Sequence, residues 1–400
     1  MLQGKTIVLG VSGGIAVYKA VELLRLMVKE GADVHVIMTR NAQEFVTPLT
    51  FQALSGNPVN TDLFSLYQEQ EIGHISLADR ADLFVLAPAT ANLIGKIAQG
   101  LADDLLTTSV MATKAPVLIV PAMNTNMYEN PVYQRNEQSL SELGYQIMEP
   151  ATGSLACGWN GKGKLPDPHV IFTAVQSMLS PKDFLGCRML VTAGPTREEI
   201  DPVRYVSNYS SGKMGFAIAE VAQQRGAQVT LVSGPTALTV PVGVSCVPVC
   251  SAEEMRAAVL NQYGSVDIVV KAAAVADYRC KDRCDQKMKK RANELTLTLE
   301  KNPDILSELG KSKKQQILVG FAAETERLLA HAAEKLKNKN LDMIVANDVT
   351  SPGAGFDTDT NIVRILHADG RIEELDKMSK NMVAQQLLNR LSILWRSKQQ

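Results

Sequence analysis

The chain has 400 residues, 41 of them basic and 42 acidic, and a net charge of −1. With 46% hydrophobic and 21% charged residues, the composition excludes a disordered chain, and the charges inside its longest apolar run exclude a membrane span. The length predicts two α/β domains. Because the chain opens on a strand-like segment and has only six cysteines, we expect reduced thiols and a cytoplasmic location.

The first half alternates short apolar runs with segments of helical period, which predicts a doubly wound parallel sheet. Predicted helices cover residues 15–30 and 167–179, and others lie near residue 92 and after residue 126. Residues 153–168 are rich in Gly and Pro, so we expect an exposed loop there and neither a helix nor a strand.

The second half repeats this alternation. Helices are predicted from Lys213, after the capping box of Ser251 and Glu254, and from residue 302. A hairpin is predicted to turn at residues 369–370 (DG), before a last helix from residue 379. The fold class is therefore α/β with two doubly wound Rossmann-like domains, residues 1–188 and 189–400. The second has 28 basic and 25 acidic residues, which suits anionic ligands.

A glycine-rich turn, residues 10–14 (GVSGG), joins the first strand to the first helix. Glycines let the backbone approach a phosphate, and a helix N-terminus favours an anion. The spacing is not G-x-G-x-x-G, and no acidic residue ends the second strand, which finishes at Thr39. This favours a mononucleotide such as FMN over NAD, while a plain tight turn stays an alternative.

Two polar segments follow later strands, residues 88–93 (PATANL) and 121–127 (PAMNTNM). Ligands of open α/β sheets bind at the carboxyl ends of strands, so both segments are expected to line one pocket. His74 and Cys157 add an acid/base group and a thiol to the candidates. Either residue could instead have an ordinary structural role.

The first half resembles the flavoprotein family of cysteine decarboxylases, in PATANL, in PAMNTNMY and in ACGWNGKGK at residues 156–164. The departures from that family are Leu93, Tyr128 and Lys164, and Lys164 replaces an arginine in the loop that clamps the substrate. The resemblance implies a flavodoxin-like domain that binds FMN. It implies an FMN site of Ser12, Gly13, Gly14, Ile15, Thr39, Ala89 and Thr90.

The same resemblance implies a decarboxylation in which FMN takes electrons from the cysteinyl thiol of the substrate, carbon dioxide leaves, and the electrons return. His74 would be the base, Asn124 would bind the substrate carboxylate, and Cys157 would donate a proton.

In the second half, residues 192–215 form a long polar stretch between a strand and a helix. Arg204 and Asn208 give it cationic and amide groups for an anionic substrate, although a solvated loop is the alternative. Ala272 and Ala273 permit close approach of a base or ribose, and Lys271 is an unusual charge for a buried strand end, so we expect its head to reach a nucleotide.

This half resembles the phosphopantothenoylcysteine synthetase family in residues 201–215, 272–279, 287–290, 301–306, 320–325 and 335–349. The resemblance implies a ligase that uses CTP and Mg²⁺ to join cysteine to 4'-phosphopantothenate through an acyl-cytidylate. Asn208 would contact the acyl intermediate and Lys287 the phosphates of CTP. The other implied CTP residues are Asp277, Asn302, Pro303, Asp304, Ile305, Phe321, Lys335 and Lys339.

Together the two resemblances imply a bifunctional enzyme of coenzyme A biosynthesis with small-molecule substrates and no nucleic-acid or membrane partner. They also imply a homo-oligomer of ligase dimers and decarboxylase trimers. The alternatives are a chain with one inactive half that serves regulation or assembly, and an NAD-dependent oxidoreductase.

Overall fold

The computed structural model describes residues 2–63, 73–154, 158, 160–289, 295–324, 328–348 and 358–399, with the backbone alone at 73, 74, 323, 324, 328 and 348. The chain divides into two compact units, Met1–Ser180 and Pro181–Gln400.

The first unit is built from alternating strands and helices. Its strands are β1 (Thr6–Val11), β2 (Asp33–Met38), β3 (Val59–Asn60), β4 (Leu83–Ala89), β5 (Val117–Pro121), β6 (Gln146–Ile147), β7 (Ala151–Ser154) and β8 (Asn160–Lys164). Its α-helices are α1 (Val17–Lys29), α2 (Pro48–Ser55), α3 (Gly73–Arg80), α4 (Ala91–Ala98), α5 (Leu105–Ala112), α6 (Thr125–Tyr128), α7 (Pro131–Glu142) and α8 (Pro168–Leu179).

The main sheet of the first unit has the strand order β3-β2-β1-β4-β5-β6, and every pair in it is parallel. This is the Rossmann order, and without the two-residue β3 it is the flavodoxin order. The predicted fold class is therefore confirmed for this unit. The strand order reverses between β1 and β4, so the main ligand crevice is expected at their carboxyl ends.

Both faces of this sheet are buried. Along β1 the side chains alternate, so that Ile7 and Leu9 join a core cluster with residues of α1 and α8, whereas Val8 joins a second cluster with residues of α4, α5 and α7. Two covered faces explain the nearly unbroken apolar runs of β1, β4 and β5.

The Gly- and Pro-rich segment at residues 153–168 is not a plain loop, and that prediction was wrong. β7 and β8 pair as an antiparallel hairpin. Two glycines of β8 pack against the chain after β5, since a Cβ on Gly161 would meet Thr125 Oγ1 at 2.5 Å and a Cβ on Gly163 would overlap the Met123 carbonyl oxygen. The glycines thus allow β8 to pack closely against the chain after β5, a contact that sequence composition alone does not reveal.

The second unit begins a new alternation. Its strands are β9 (Arg188–Ala193), β10 (Arg197–Glu199), β11 (Tyr205–Ser207), β12 (Gln228–Ser233), β13 (Ser245–Pro248), β14 (Ile268–Lys271), β15 (Tyr278–Cys280), β16 (Leu299–Lys301), β17 (Ile317–Glu324), β18 (Met343–Asp348), β19 (Thr360–His367) and β20 (Ile372–Ser379). Its α-helices are α9 (Lys213–Gln224), α10 (Ala252–Tyr263), α11 (Ile305–Ser312), α12 (Leu328–Asn338) and α13 (Lys380–Gln399).

The main sheet of the second unit has the order β13-β12-β9-β14-β17-β18-β19-β20. Its first six strands are parallel and repeat the Rossmann order of the first unit, which confirms the second predicted domain fold. The predicted hairpin at residues 369–370 is β19–β20, which adds two antiparallel strands at one edge. Here the strand order reverses between β9 and β14.

Residues 181–187, before β9, are anchored to the second unit. Arg225, which is 1% exposed, donates from Nε and Nη2 to the two carboxylate oxygens of Asp183 at 2.9 and 2.6 Å, and from Nη1 to Asn389 Oδ1 at 2.8 Å. Lys182 donates to the Gln224 carbonyl. The boundary expected between residues 188 and 189 stays a prediction, and these contacts group Lys182 and Asp183 with the second unit.

None of the helices among the described residues is long and apolar enough to cross a membrane. The described cysteines are free thiols: Cys187, Cys246, Cys250, Cys280 and Cys284.

Candidate active sites

A cavity of about 1010 Å³ opens at the carboxyl ends of β1, β4 and β5, where the strand order of the first sheet reverses. Most of the residues predicted for FMN and substrate binding in this half line it. The lining includes Ser12, Gly13, Gly14, Ile15, Thr39, Thr90, Asn124 and Lys164. The remaining FMN candidate, Ala89, is buried at the end of β4, where its carbonyl accepts a hydrogen bond from Ala122 N.

Hydrogen bonds of Ser12 hold the glycine-rich turn against the end of β4. Ser12 Oγ donates to the Pro88 carbonyl at 2.7 Å and accepts from Thr90 N at 2.9 Å. Gly13 is required by packing, since a Cβ there would lie 2.5 Å from Asn41 Cβ. The turn therefore brings backbone and the start of α1 to the cavity, an arrangement that favours a phosphate group.

Thr39 lies in the same cavity, after β2. Its N–H donates to the Val11 carbonyl, but its Oγ1 is buried and has no hydrogen-bond partner in the part of the chain that the structure describes. An unsatisfied buried hydroxyl is costly, so a polar ligand group beside it would be stabilising. The residues present thus fit a phosphorylated, polar ligand such as FMN.

Lys19 is a cavity residue that the sequence reasoning missed. It follows the glycine-rich turn on α1, and its Nζ donates to the Leu165 carbonyl at 3.0 Å. Burial, and then the charge of Lys164, lower the pKa of Lys19. Lys19 and Lys164 thus place two cations at one side of the cavity. The signal in the sequence was a lysine in the first turn of the helix that follows the glycine-rich turn, a helix end that favours anions over cations.

Asn124 begins α6 as its N-cap and accepts a hydrogen bond from Asn126 N at Oδ1 (2.8 Å). The β7–β8 hairpin is attached beside it, because Met123 N donates to the Gly163 carbonyl at 3.0 Å. Cys157 belongs to the connection between the two strands and lies outside the described residues. His74 lies at the start of α3, and its side chain is also outside the description.

In the second unit the segment after β14 is bonded to the loop after β9, at the reversal of the strand order. Ala274 N donates to the Gly194 carbonyl at 2.9 Å, and Thr196 Oγ1 accepts from Ala276 N at 3.0 Å. The predicted nucleotide residues Ala272 and Ala273 are partly buried in this segment. They therefore occupy the crevice position expected for a ligand of a Rossmann-like sheet.

Four predicted residues form a charge cluster here: Lys271, Asp277, Asp304 and Lys339. Lys339 Nζ lies 2.8 Å from Asp304 Oδ2, and Asp304 is the N-cap of α11. Burial, and then the charge of Lys339, lower the pKa of Lys271 to about 8, against the opposing effect of both carboxylates. A partly buried cation in such a cluster would be stabilised by an added anion.

Asn302 connects to this cluster through backbone groups. Its N–H donates to the Asp277 carbonyl at 2.8 Å and its Nδ2 to the Ala276 carbonyl at 2.9 Å. Its Oδ1 is buried and, within the described ranges, unpaired. The Asn302 amide is thus oriented so that its Oδ1 could accept a hydrogen bond from a ligand. An amino or hydroxyl group of a nucleotide could donate that bond.

The other predicted nucleotide residues are distributed around this crevice. Phe321 directly follows Gly320, the β17 residue paired with Lys271. Lys335 lies one helical turn before Lys339, whose N–H donates to its carbonyl. Pro303 is partly buried and Ile305 is buried. Described contacts do not connect Lys287, which is exposed, to the charge cluster.

Asn208 follows β11 and donates from Nδ2 to the Val275 carbonyl at 3.1 Å. Ser207 Oγ donates to the Thr196 carbonyl at 2.7 Å. The β10–β11 hairpin therefore brings Asn208 to the same segment that carries Ala272, Ala273 and Asp277.

Comparison with known proteins gives two family matches. The family described as "Flavoprotein" matches residues 1–180, and the "DNA/pantothenate metabolism flavoprotein C-terminal domain" matches residues 184–394. A relative from Bacillus subtilis, named "Coenzyme A biosynthesis bifunctional protein CoaBC", is 52% identical over 398 residues, 98% of each chain. The chain belongs to this family of bifunctional coenzyme A biosynthesis proteins. The Escherichia coli member is 47% identical over 98% of this chain and 97% of its own.

Solved structures match each half of this CoaBC family member. A crystallised C-terminal domain of a CoaBC protein is 46% identical and covers 54% of this chain and 99% of its own, with a TM-score of 0.47. A PPC decarboxylase mutant complexed with pantothenoylaminoethenethiol is 32% identical and covers 43% and 96%, with a TM-score of 0.39.

Membership in the CoaBC family confirms the bifunctional assignment: the chain is a phosphopantothenoylcysteine decarboxylase joined to a phosphopantothenate–cysteine ligase. Its first unit is a flavoprotein domain. The alternatives of an inactive half and of an NAD-dependent oxidoreductase gain no support from these matches.

Proposed function

We propose that the cavity of the first unit holds FMN and the phosphopantothenoylcysteine substrate. The observation that carries this proposal is the position of the Ser12–Gly14 turn, the start of α1 and the unsatisfied Thr39 Oγ1 around one crevice. When bound, FMN supplies the reversible electron transfer that makes loss of carbon dioxide feasible. The protein itself binds, orients and moves protons.

In this reaction His74 accepts a proton from the substrate, and Cys157 returns one to the decarboxylated product. The Asn124 amide is oriented by the bond from Asn126 N to its Oδ1, so that Nδ2 is the end that donates to a substrate carboxylate. Lys19 and Lys164 attract the anionic substrate to the cavity. Lys164 acts as a point charge, without the bidentate contact of an arginine.

The second unit, we further propose, activates 4'-phosphopantothenate with CTP. The substrate carboxylate attacks the α-phosphate and pyrophosphate leaves; the amine of cysteine then displaces CMP from the acyl-cytidylate. Lys271, Lys287 and Lys339 neutralise the phosphates, and Asn208 contacts the acyl intermediate. The support is the charge cluster at the crevice and the unpaired Asn302 Oδ1 beside it.

Mg²⁺ fits this site as an ion that arrives with the triphosphate. No group of three or more His, Cys, Asp or Glu side chains in the described part of the chain could hold a metal by itself. Mg²⁺ commonly binds through few protein carboxylates together with substrate phosphates and water, which is consistent with a nucleotide-borne ion.

We propose that the enzyme works in the cytoplasm as a homo-oligomer with decarboxylase trimers and ligase dimers. Ile15 and Tyr18 support an assembly, because these cavity-lining side chains are 60% and 61% exposed and a second copy would cover their apolar surface. Measurement of the particle mass in solution tests this: a monodisperse monomer would contradict it.

The FMN proposal is tested by the visible flavin absorbance of the purified protein and of two glycine variants. Gly13→Val, which overlaps Asn41, should lose the flavin band and the decarboxylase activity while ligation continues. Gly95→Ala is the matched control, since a Cβ there makes only an ordinary 3.7 Å contact. Wild-type protein without a flavin band would contradict the proposal.

The CTP proposal is tested by product release. CMP and pyrophosphate should form from CTP only when 4'-phosphopantothenate is present, and ATP or UTP should support much slower turnover. Equal rates with ATP, or release without phosphopantothenate, would contradict it.

A further inference from the structure

The segment that carries Lys287, residues 281–289, lies along the β10–β11 hairpin, far away in sequence. The Arg283 guanidinium lies 2.6 Å from the Glu199 carboxylate, and Cys284 N donates to the Ile200 carbonyl at 2.9 Å. The segment is therefore docked on the hairpin from its first residues onward.

Met288, next to Lys287, is held at both of its backbone groups by one ion pair. Its N–H donates to Asp201 Oδ2 at 3.1 Å, and its carbonyl accepts from Arg204 Nη2 at 3.1 Å. Arg204 Nε in turn donates to the same Asp201 oxygen at 3.0 Å. This arrangement fixes the peptide groups on both sides of Met288 and so the direction in which the Lys287 stem leaves the chain.

Within the described residues, both carboxylate oxygens of Asp201 are already occupied by hydrogen bonds. They accept from the backbone N–H groups of three residues and from the Arg204 side chain, so Asp201 is not available to bind a ligand. Val203 N and Arg204 N each lie 2.9 Å from Oδ1. Asp201 is 1% exposed, and the Arg204 hydrogen bond, followed by the Val203 and Met288 N–H groups, holds its pKa well below the usual range. It acts on the reaction only through the groups that it positions.

Asn208 directly follows the same hairpin and donates to the Val275 carbonyl at 3.1 Å. One structural element thus sets the place of two residues that are 79 positions apart in the sequence, Asn208 directly and Lys287 through Met288.

We propose that Asp201 and Arg204 form a positioning pair for the ligase reaction, which fixes Lys287 relative to Asn208 so that the lysine meets the phosphates of CTP beside the acyl group. The pair does not itself touch the reacting atoms. This inference rests on the proposed roles of Lys287 and Asn208.

The test uses the full-length protein with the variant Arg204→Lys, which keeps the charge and loses the fork that spans Asp201 and Met288. An ångström of misplacement can cost about a hundredfold in rate, so kcat/KM for CTP should fall at least about tenfold. The decarboxylase rate of the same protein should stay unchanged. Hydrogen exchange at the Met288 amide should become faster, which reports the loosened segment directly.

Arg283→Lys is the matched control. It makes the same kind of substitution on the other side of the contact between segment and hairpin, at a side chain that is 57% exposed and paired with Glu199. Its CTP kinetics should stay within about twofold of wild type, as expected for an exposed ion pair.

A double variant distinguishes positioning from direct contact. If Arg204 acts through Lys287, Lys287→Met combined with Arg204→Lys should be no slower than Lys287→Met alone. If the losses of kcat/KM in the two single variants add up in the double variant, the positioning role is overturned. The same holds if Arg204→Lys has wild-type CTP kinetics while Lys287→Met is defective. Wild-type kinetics in Lys287→Met would overturn both the proposed role of Lys287 and this inference. Pyrophosphate release that did not need CTP would instead contradict the proposed ligase chemistry.

Discussion

Binding of CTP should be coupled to uptake of a proton by Lys271. The fall of its pKa from 10.5 to about 8 means that the folded protein disfavours the ammonium form by about 3 kcal/mol. The unfolded chain therefore binds more protons between about pH 8 and 10.5, and the stability contribution of this group rises with pH across that window. The phosphates of CTP favour the ammonium form, so they should raise this pKa on binding.

The size of the effect on CTP affinity follows from the same value. Below about pH 8 Lys271 is already protonated, and above it each bound CTP must recruit a proton. If the pKa in the complex lies well above 9, the Kd for CTP should rise about tenfold between pH 7 and pH 9. Near pH 8 about half a proton should be taken up for each CTP bound.

Isothermal titration calorimetry in two buffers of different ionisation enthalpy measures this uptake. Lys271→Met should abolish it and leave the remaining CTP affinity nearly independent of pH. Lys311→Met is the matched control, an exposed lysine on α11, and should retain the wild-type uptake. A wild-type protein without proton uptake, or a Lys271→Met protein that keeps it, would refute the reasoning.

Three further predictions concern the rest of the molecule. Arg225→Met should lower the free energy of unfolding of the second unit by about 3–5 kcal/mol in urea denaturation, because it leaves the buried Asp183 without its cation; an unchanged midpoint would contradict this. Gly163→Val should lower the decarboxylase rate at least about tenfold and spare ligation, since its Cβ overlaps the Met123 carbonyl and displaces the hairpin; normal decarboxylation would show that the close approach is not needed. Cys157→Ser should stop the first reaction after carbon dioxide is lost, seen as an accumulating decarboxylated intermediate, and loss of ligation as well would show that the two activities are not independent.

Local signals in the sequence predicted several elements correctly. The helix expected from Lys213 begins there, after a glycine with φ of 78° at its N-cap. Ser251 caps α10 as its spacing to Glu254 predicted, since Ser251 Oγ accepts from Glu254 N. The parallel, doubly wound character of both main sheets was also predicted from the alternation of apolar runs and helices, because parallel strands need covered faces and crossover helices. Each of these rests on neighbours in sequence.

Features that depend on distant contacts were not predictable in this way. α11 begins at Ile305 and not at residue 302, because Asp304 supplies the cap while Asn302 is bonded to the strand-end segment that contains Ala276. The bond between Asp201 and Met288 spans 87 residues. No local pattern marks such a pair, since composition shows which groups can bond and only the fold shows which ones meet.

The two edge strands of the first sheet, β3 and β6, have two residues each. An exposed sheet edge can pair with a strand of another molecule, and the tendency to aggregate in this way increases with the number of consecutive unpaired backbone groups. Such short edges offer an incoming strand few bonds. In concentrated solution this flavoprotein unit should therefore not form aggregates by adding strands to its sheet. Any loss of soluble protein on heating should instead follow unfolding, which exposes the apolar core.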